Sequence, residues 1–404
     1  MTTAANSTPR LLAPEALAAI ATIAQAPMRE GHDVRILRDG ALTFPAMLAL
    51  IRAAKRGVCF ENFIFANDGT GERFAKALES AAARGASVRV LYDPMGTLLV
   101  RGGSIARRLK RSRVRARAFR PVGALAPWSW LHLRHRDHRK LLIGDQLGAV
   151  VGGLCVADNW APAERGGGGW RDTAVMVRGP AVADLQLAFE RMWHRARATA
   201  RVADQDTRLT MELPRAAPAP VPKGDATVVV VGDRPGTRRV AAMYAWLADH
   251  AEQTIELSDA YMIAPRPVTQ ALLGAARRGV RVRLLLPGRN NHPIAGLAAR
   301  RMYAPLLDAG VEIHEWDGVM LHAKTVVVDG AISMIGSSNL DPLSLHRNYE
   351  LNVLVADLAT GARMRDLFAQ DLALASPITP VEWRRRPRWA RLAEWLAGWF
   401  EWNL

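Results

Sequence analysis

The chain has 404 residues, more than one ordinary core holds, and its composition is 50% hydrophobic and 23% charged, which argues against disorder on a large scale. With 54 Lys and Arg against 38 Asp and Glu the net charge is +16, a surplus that suits nucleic acid or an anionic membrane surface. The only cysteines, Cys59 and Cys155, lack CxxC spacing or a Cys/His cluster, which argues against a disulfide framework or structural zinc and for a reducing compartment. The N-terminal stretch reads without a signal peptide and no window approaches 18 uninterrupted apolar residues, so any membrane contact is expected to be peripheral.

Along the chain, a helical pattern at roughly 45–56 precedes an apolar strand at 58–65. Ala77 to Gly85 then reads as a helix stopped by glycine, followed by the strand SVRVLYD. From Pro94 to Arg136 no acidic residue occurs, nine Lys or Arg fall between Arg101 and Arg120, and Trp128 and Trp130 follow. Next come His138, Lys140 and Asp145, the pair Gly152-Gly153, and Asp172 in GWRDTAVMV. The Pro/Ala-rich stretch 212–224 has the composition of an extended linker.

Beyond the linker the pattern is written again. A helical stretch at 237–250 leads to a strand at 254–263, and Ala271 to Gly279 repeats the helix stopped by glycine before VRVRLLLP. His322, Lys324 and Asp329 then precede Gly336-Ser337-Ser338-Asn339, and Glu350 stands in HRNYELNVLV. The spacing predicts a first half at 1–211, a second at 225–380, and a basic, Trp-rich segment at 381–404. Helices alternating with apolar strands predict a layered α/β fold.

In HRKLLIGD and HAKTVVVD the His and Lys sit two apart on a predicted strand and so share one face. An imidazole beside an ammonium suits a phosphodiester: the lysine neutralises non-bridging oxygens while the imidazole attacks phosphorus or passes a proton. Two copies allow one histidine to attack and the other to protonate the leaving oxygen. A lone HxK carries no information; two copies in repeated halves, each followed by a Gly-rich turn, do.

The duplicated HxKxxxxD resembles the phospholipase D superfamily. The resemblance implies a duplicated α/β/α sandwich with pseudo-twofold symmetry, one shared active site, no metal or other cofactor, and a phosphohistidine intermediate. It implies catalytic roles for His138, Lys140, Asp145, His322, Lys324 and Asp329, with His138 as nucleophile and His322 as general acid and base. It also implies a histidine held by an acid downstream of each motif, for which Asp172 and Glu350 are candidates. Gly153, Ser337, Ser338 and Asn339 are expected to contact phosphate or substrate. Asp145 and Asp329 are read as supporting residues that link strand ends and lysines. One departure stands out: where Asn339 follows His322 by 17 residues, the first half has Cys155, so an amide donor to phosphate is either missing there or supplied by Asn159.

Local motifs are similar to bacterial cardiolipin synthases of the type without N-terminal membrane spans: Asp39-Gly40 with Phe44 to Leu48, the ENFIF stretch, WRDT and RGPAV. That resemblance implies phosphatidyl transfer from one phosphatidylglycerol to another at a membrane, in a cytoplasmic protein peripheral on the inner membrane. In the tail, Arg384, Arg385, Arg386, Arg388 and Arg391 border Trp389, Trp395, Trp399 and Trp402, the pattern of a helix lying in an anionic lipid interface. The same pattern fits an amphipathic helix packed on its own domain. Rival readings are a nuclease of the same superfamily, a phospholipase D hydrolase, another phosphatidyltransferase, and a catalytically dead lipid-binding protein. Nucleic acid is disfavoured because the aromatics gather in the tail rather than in a stacking platform.

Overall fold

The computed structural model describes residues 9–99, 103–121, 135–145, 147–199 and 224–399. The expected linker up to Lys223, and Trp128, Trp130 and Trp402, lie outside the described residues.

The first half runs α1 (Pro14–Ala24), β1 (Arg29–Arg38), α2 (Asp39–Ala53), β2 (Gly57–Asn62), α3 (Gly69–Ala83), β3 (Ser87–Tyr92), α4 (Pro94–Leu99), α5 (Gly103–Arg111), β4 (Arg115–Ala118), β5 (Leu141–Gly144), β6 (Gly148–Gly152), β7 (Thr173–Arg178) and α6 (Ala181–Thr199). The second runs β8 (Ala226–Asp233), α7 (Arg239–His250), β9 (Thr254–Ser258), α8 (Arg266–Arg277), β10 (Arg281–Pro287), α9 (Pro293–Arg300), α10 (Tyr303–Asp308), β11 (Glu312–Trp316), β12 (Thr325–Val328), β13 (Ile332–Gly336), β14 (Glu350–Ala356), α11 (Leu358–Leu372) and β15 (Ala375–Ile378). The tail adds α12 (Pro380–Arg385) and α13 (Arg388–Ala397).

The described strands hydrogen bond in the order β15-β11-β10-β9-β12-β13-β14-β8-β1-β7-β6-β5-β2-β3-β4. Counting outward from the antiparallel β1–β8 pair, the first half gives β7, β6, β5, β2, β3, β4 and the second β14, β13, β12, β9, β10, β11. This is a pseudo-twofold duplication, with β15 appended at one edge. The β6–β7 region packs against β13–β14, so the two wings face each other. Val151, Val175, Val177, Ile335 and Val353 are buried between them, together with Phe189 and Trp193 of α6 and Leu367 of α11. Separate apolar layers bury the outer faces, Phe60 and Phe74 among them in the first half and Leu257 and Leu284 in the second. The result is a duplicated α/β/α sandwich.

Local chemistry explains the frame. The strands that follow each motif's His and Lys, LLIG and TVVV, are buried along their whole length, as strands covered on both faces are. Asp68 caps α3 by accepting the Gly71 N–H at 2.9 Å, and Asp357 caps α11 by accepting from Thr360 at 2.7 Å. The helix expected at 45–56 starts earlier, at Asp39, and carries Pro45 inside it. Strand β2 ends at Asn62 and β9 at Ser258, short of the expected 65 and 263, because the chain leaves the sheet there toward the cleft described next.

Candidate active site

His138 lies three residues before β5 and His322 three before β12; Asp172 immediately precedes β7, and Glu350 opens β14. Each acid is brought to the histidine of the other half. Isolated parallel bridges pair Asp137 with Tyr349 and Arg171 with Leu321. In the first, His138 N–H donates to the Tyr349 carbonyl at 3.0 Å and Tyr349 N–H to that of Arg136 at 2.9 Å; in the second, His322 N–H donates to the Arg171 carbonyl at 2.7 Å. The residue after each bridge is the acid. His138 Nδ1 therefore sits 3.0 and 3.2 Å from the two Glu350 oxygens, and His322 Nδ1 sits 2.7 Å from Asp172 Oδ2. The sequence suggested an acid serving each motif from downstream; the observed service is crosswise, because the inter-half bridges and not chain order decide which strand ends meet.

Both imidazoles are held neutral. Burial, then Lys140 and Lys324, keep His138 well below the usual histidine range, and burial with Lys324 pushes His322 down to about 3. The carboxylates differ. Burial raises Glu350 to about 7, whereas for Asp172 the His322 and Lys324 neighbours outweigh burial and hold it below its ordinary value. Burial also lowers Lys324 to about 8. A proton on each Nδ1, directed at its carboxylate, leaves Nε2 as the reactive nitrogen.

Lys140 Nζ donates to the His138 carbonyl at 2.5 Å, and Lys324 Nζ to that of His322, lying also 2.8 Å from its Nδ1. Phe63 flanks His138 edge-on at 5.0 Å, while Trp160, Trp170 and Tyr261 surround His322 at 5.1, 5.7 and 6.4 Å. Lys324 acts electrostatically on His138, and Lys140 on His322, so the charges of both motifs act on one centre.

Other expected residues are placed differently. Ser337 donates its hydroxyl to Glu350 Oε2 at 2.5 Å, and its main chain bonds to the His138 ring. Ser338 Oγ accepts from Asn352 at 2.8 Å. Both serine hydroxyls thus hold protein groups instead of facing a substrate. At Gly153 a Cβ would lie 2.4 Å from Asp172 Oδ1, so glycine there makes room for the carboxylate. Asn339 is buried, with Nδ2 3.4 Å from Ser344 Oγ and Oδ1 without a hydrogen-bond partner among the described residues. Cys155 is buried, its thiol raised by burial, and Asn159 is exposed, with its carbonyl accepting the Trp170 N–H.

Asp145 and Asp329 lie at the far ends of β5 and β12 from the histidines, in the left-handed region at φ 46° and 52°, which Asp tolerates. Asp145 accepts the backbone N–H groups of Lys55, Arg56 and Gly57, and Asp329 those of Glu252, Gln253 and Thr254 at 2.8–2.9 Å. They link strand ends as expected of supporting residues, but touch neither motif lysine and stand outside the reacting centre. In the basic stretch, Arg108 is engaged by Glu72 and Glu79, Arg117 stacks 4.1 Å over Trp193, and Arg136 binds Asp93 at 2.6 Å. Those cations hold the fold.

Several contributors were not singled out from sequence. Trp160 Nε1 donates to Asp172 at 2.9 Å, and Ser344 hydrogen bonds Glu350. Both stand 22 residues after their half's histidine, so the repeat register itself marks them. Arg171 binds Asp371 of α11 through Nε and Nη2 at 2.6–3.0 Å and also Asp39 at 3.2 Å, fixing the strand end that carries Asp172. Nothing local in sequence indicates that long-range pair.

Residues 246–372 match a family model described as cardiolipin synthase, phospholipase D-like domain. A cardiolipin synthase of Listeria welshimeri is 29% identical over 369 residues, 91% of this chain and 74% of that protein. One of Geobacillus thermodenitrificans is 30% identical over 374 residues, 92% and 72% of the two chains. The solved phosphatidylserine synthase of Haemophilus influenzae shares the fold, with a TM-score of 0.70 at 13% identity over 95% of this chain and 96% of that one. Duplicated motifs, the sandwich that carries them and similarity over nine tenths of its length agree: the chain belongs to the cardiolipin synthase family of the phospholipase D superfamily.

Proposed function

We propose that this chain is a phosphatidyltransferase that makes cardiolipin from two molecules of phosphatidylglycerol. His138 Nε2 attacks the phosphorus of the first lipid, a P–N bond forms and the P–O bond to glycerol breaks; the departing oxygen takes the Nε2 proton of a His322 imidazolium, the form that the bound anionic phosphodiester and ionised Asp172 support. His322 then takes the proton from the free hydroxyl of the second phosphatidylglycerol, whose oxygen displaces the histidine and breaks the P–N bond. Lys140 and Lys324 neutralise the non-bridging oxygens, and Glu350 and Asp172 orient the rings and support their positive charge. The observation that carries this reading is the crossed pairing of two His–carboxylate couples around two lysines. Phe63, Trp160, Trp170 and Tyr261 around the imidazoles favour a lipid alcohol over water as acceptor.

Phospholipid substrates place the enzyme at a membrane. Among the described residues no helix is long and apolar enough to cross one; we infer that the described residues attach peripherally, on the cytoplasmic side of the inner membrane. Incubation with phosphatidylglycerol vesicles should yield cardiolipin and free glycerol, with phosphatidic acid as a minor product, and the yield should survive EDTA. Phosphatidic acid alone would make the protein a hydrolase, and cleaved DNA with intact lipid a nuclease.

A further inference from the structure

Helix α13 turns its large apolar side chains away from the protein. It meets α9 through small residues: Ala397 is buried with Ile263, Ala298 and Ala299, and Ala390 and Ala393 are half-buried. On the same inner side Glu394 is buried and held by Arg386 at 2.6 and 3.1 Å. Arg386 in turn covers Trp383 at 3.6 Å, and that ring packs against Tyr303 in the second-half core. A Cβ at Gly398 would collide with the Arg301 guanidinium, so the helix end is fitted closely to its support. Opposite this anchored side, Trp389, Leu392, Trp395, Leu396 and Trp399 are 73, 57, 49, 46 and 68% exposed. At about 100° per residue these five fall within an arc of about 120°.

An apolar stripe this complete, on a helix already anchored from behind, marks an interaction surface. Its fringe chooses the partner. Arg385, Arg388 and Arg391 are exposed beside it, on a chain of net charge +16, and tryptophan is the side chain most at home at the lipid headgroup level. The placement relative to the cleft adds a second constraint. His292, the N-cap of α9, lies 5.8 Å from Tyr261 with the rings tilted, the Tyr261 ring is 6.4 Å from His322, and Ile263 of the same segment packs under α13. Exposed Ile294 opens α9, and exposed Val319 stands three residues before His322.

We propose that the outer face of α13 docks on an anionic bilayer, seating Trp389, Trp395 and Trp399 among the headgroups and turning the His322 wall of the cleft toward that surface. The docking itself is independent of the reaction assigned above; only the turnover arm of its test rests on that reading.

The full chain is compared with Trp395→Ser/Trp399→Ser and with Arg385→Glu/Arg388→Glu by flotation with phosphatidylcholine vesicles, with and without phosphatidylglycerol. Wild type should float only with phosphatidylglycerol present, and each double variant should bind at least about tenfold more weakly. Turnover of vesicular phosphatidylglycerol should fall in step, while turnover of a monomeric short-chain phosphatidylglycerol stays at the wild-type rate. Unchanged flotation overturns the proposal, and if a dimer dissociates at the same time the face joins a second copy of the chain. Loss of short-chain turnover together with vesicle binding also overturns it, by making the helix a support of the cleft. Weakened flotation in a chain whose wild type never turns over short-chain lipid keeps the docking surface and removes the transferase reading.

Discussion

The two histidine centres are built from equivalent positions yet are not equivalent. In one, Glu350 accepts from Ser337 and Ser344, spreads its oxygens 3.0 and 3.2 Å from His138, and holds a proton up to about pH 7. In the other, Asp172 accepts from Trp160, lies 2.7 Å from His322 and stays ionised. Gly153 stands where the other half has Ser337, and the shorter acid is paired with a tighter contact. The His138 side chain is 14% exposed against 8% for His322, whose ring is walled by two tryptophans. Duplication supplied two similar centres, and in the reaction proposed above the divergence of the residues behind the acids would let one ring attack while the other handles protons.

Replacing the histidines tests that division most severely. His138→Ala should cost at least about 10⁴-fold in turnover and His322→Ala about 10²–10⁴-fold, both with near-native melting. An aryl phosphodiester, whose leaving group needs no proton, sharpens the comparison. It should restore a burst of aryl alcohol in His322→Ala and none in His138→Ala. The reverse result would exchange the roles, and full turnover by either variant would break the single-centre arrangement.

The carboxylates come next. Asp172→Asn should cost about 10²-fold or more, because the ionised acid supports positive charge on His322. Glu350→Gln should cost about tenfold, since that acid already holds a proton for part of the time near neutral pH. Their pH signatures have opposite sign. Glu350 has its folded value raised from 4.5 to about 7, so its stabilisation is complete below 4.5 and is lost as pH rises through 7. For Asp172 the folded value lies below 3.8, so its stabilisation is present above 3.8 and is lost as pH falls through the lower value. Melting curves should show Glu350→Gln flattening the decline between about pH 4.5 and 7, and Asp172→Asn flattening the decline below 3.8. Parallel shifts in both variants would mean that the two acids are electrostatically alike.

Much of this site is legible in the chain itself. Histidine and lysine two apart, just ahead of an apolar strand, mark each motif, and Asp172 and Glu350 each stand at the start of a later strand of their half, although the structure puts both His/Lys pairs before the strand and not on it. Crossing is not legible, because the bridges at Asp137–Tyr349 and Arg171–Leu321 join residues 212 and 150 positions apart, and no local preference encodes them. The tail is ambiguous in sequence for a related reason. Its Trp stripe suits a core as well as a membrane, and only the alanine-lined contact with α9 shows which side faces inward. The basic stretch at 94–136 reads as unrelieved positive charge, yet Arg108 and Arg136 are neutralised by Glu79, Glu72 and Asp93, which stand 29, 36 and 43 residues before their partners.

The smallest expected effect lies at the position where the repeat breaks. Asn339 holds a buried amide in the second half, its oxygen unpartnered among the described residues, while Cys155 presents a thiol, a weak donor, at the matching place in the first half. Cys and Asn are close in volume, and the Lys140 charge acts on that sulfur, so an amide at 155 would stand beside the lysine that faces phosphate. Cys155→Asn should therefore lower KM for phosphatidylglycerol by about two- to tenfold, the worth of one added hydrogen bond, with kcat changed less. Cys155→Ala removes the thiol without adding a donor and should leave KM near the wild-type value. If Asn raises KM instead, the first half accepts the phosphate away from residue 155, and the asymmetry of the two centres extends from their acids to the substrate itself.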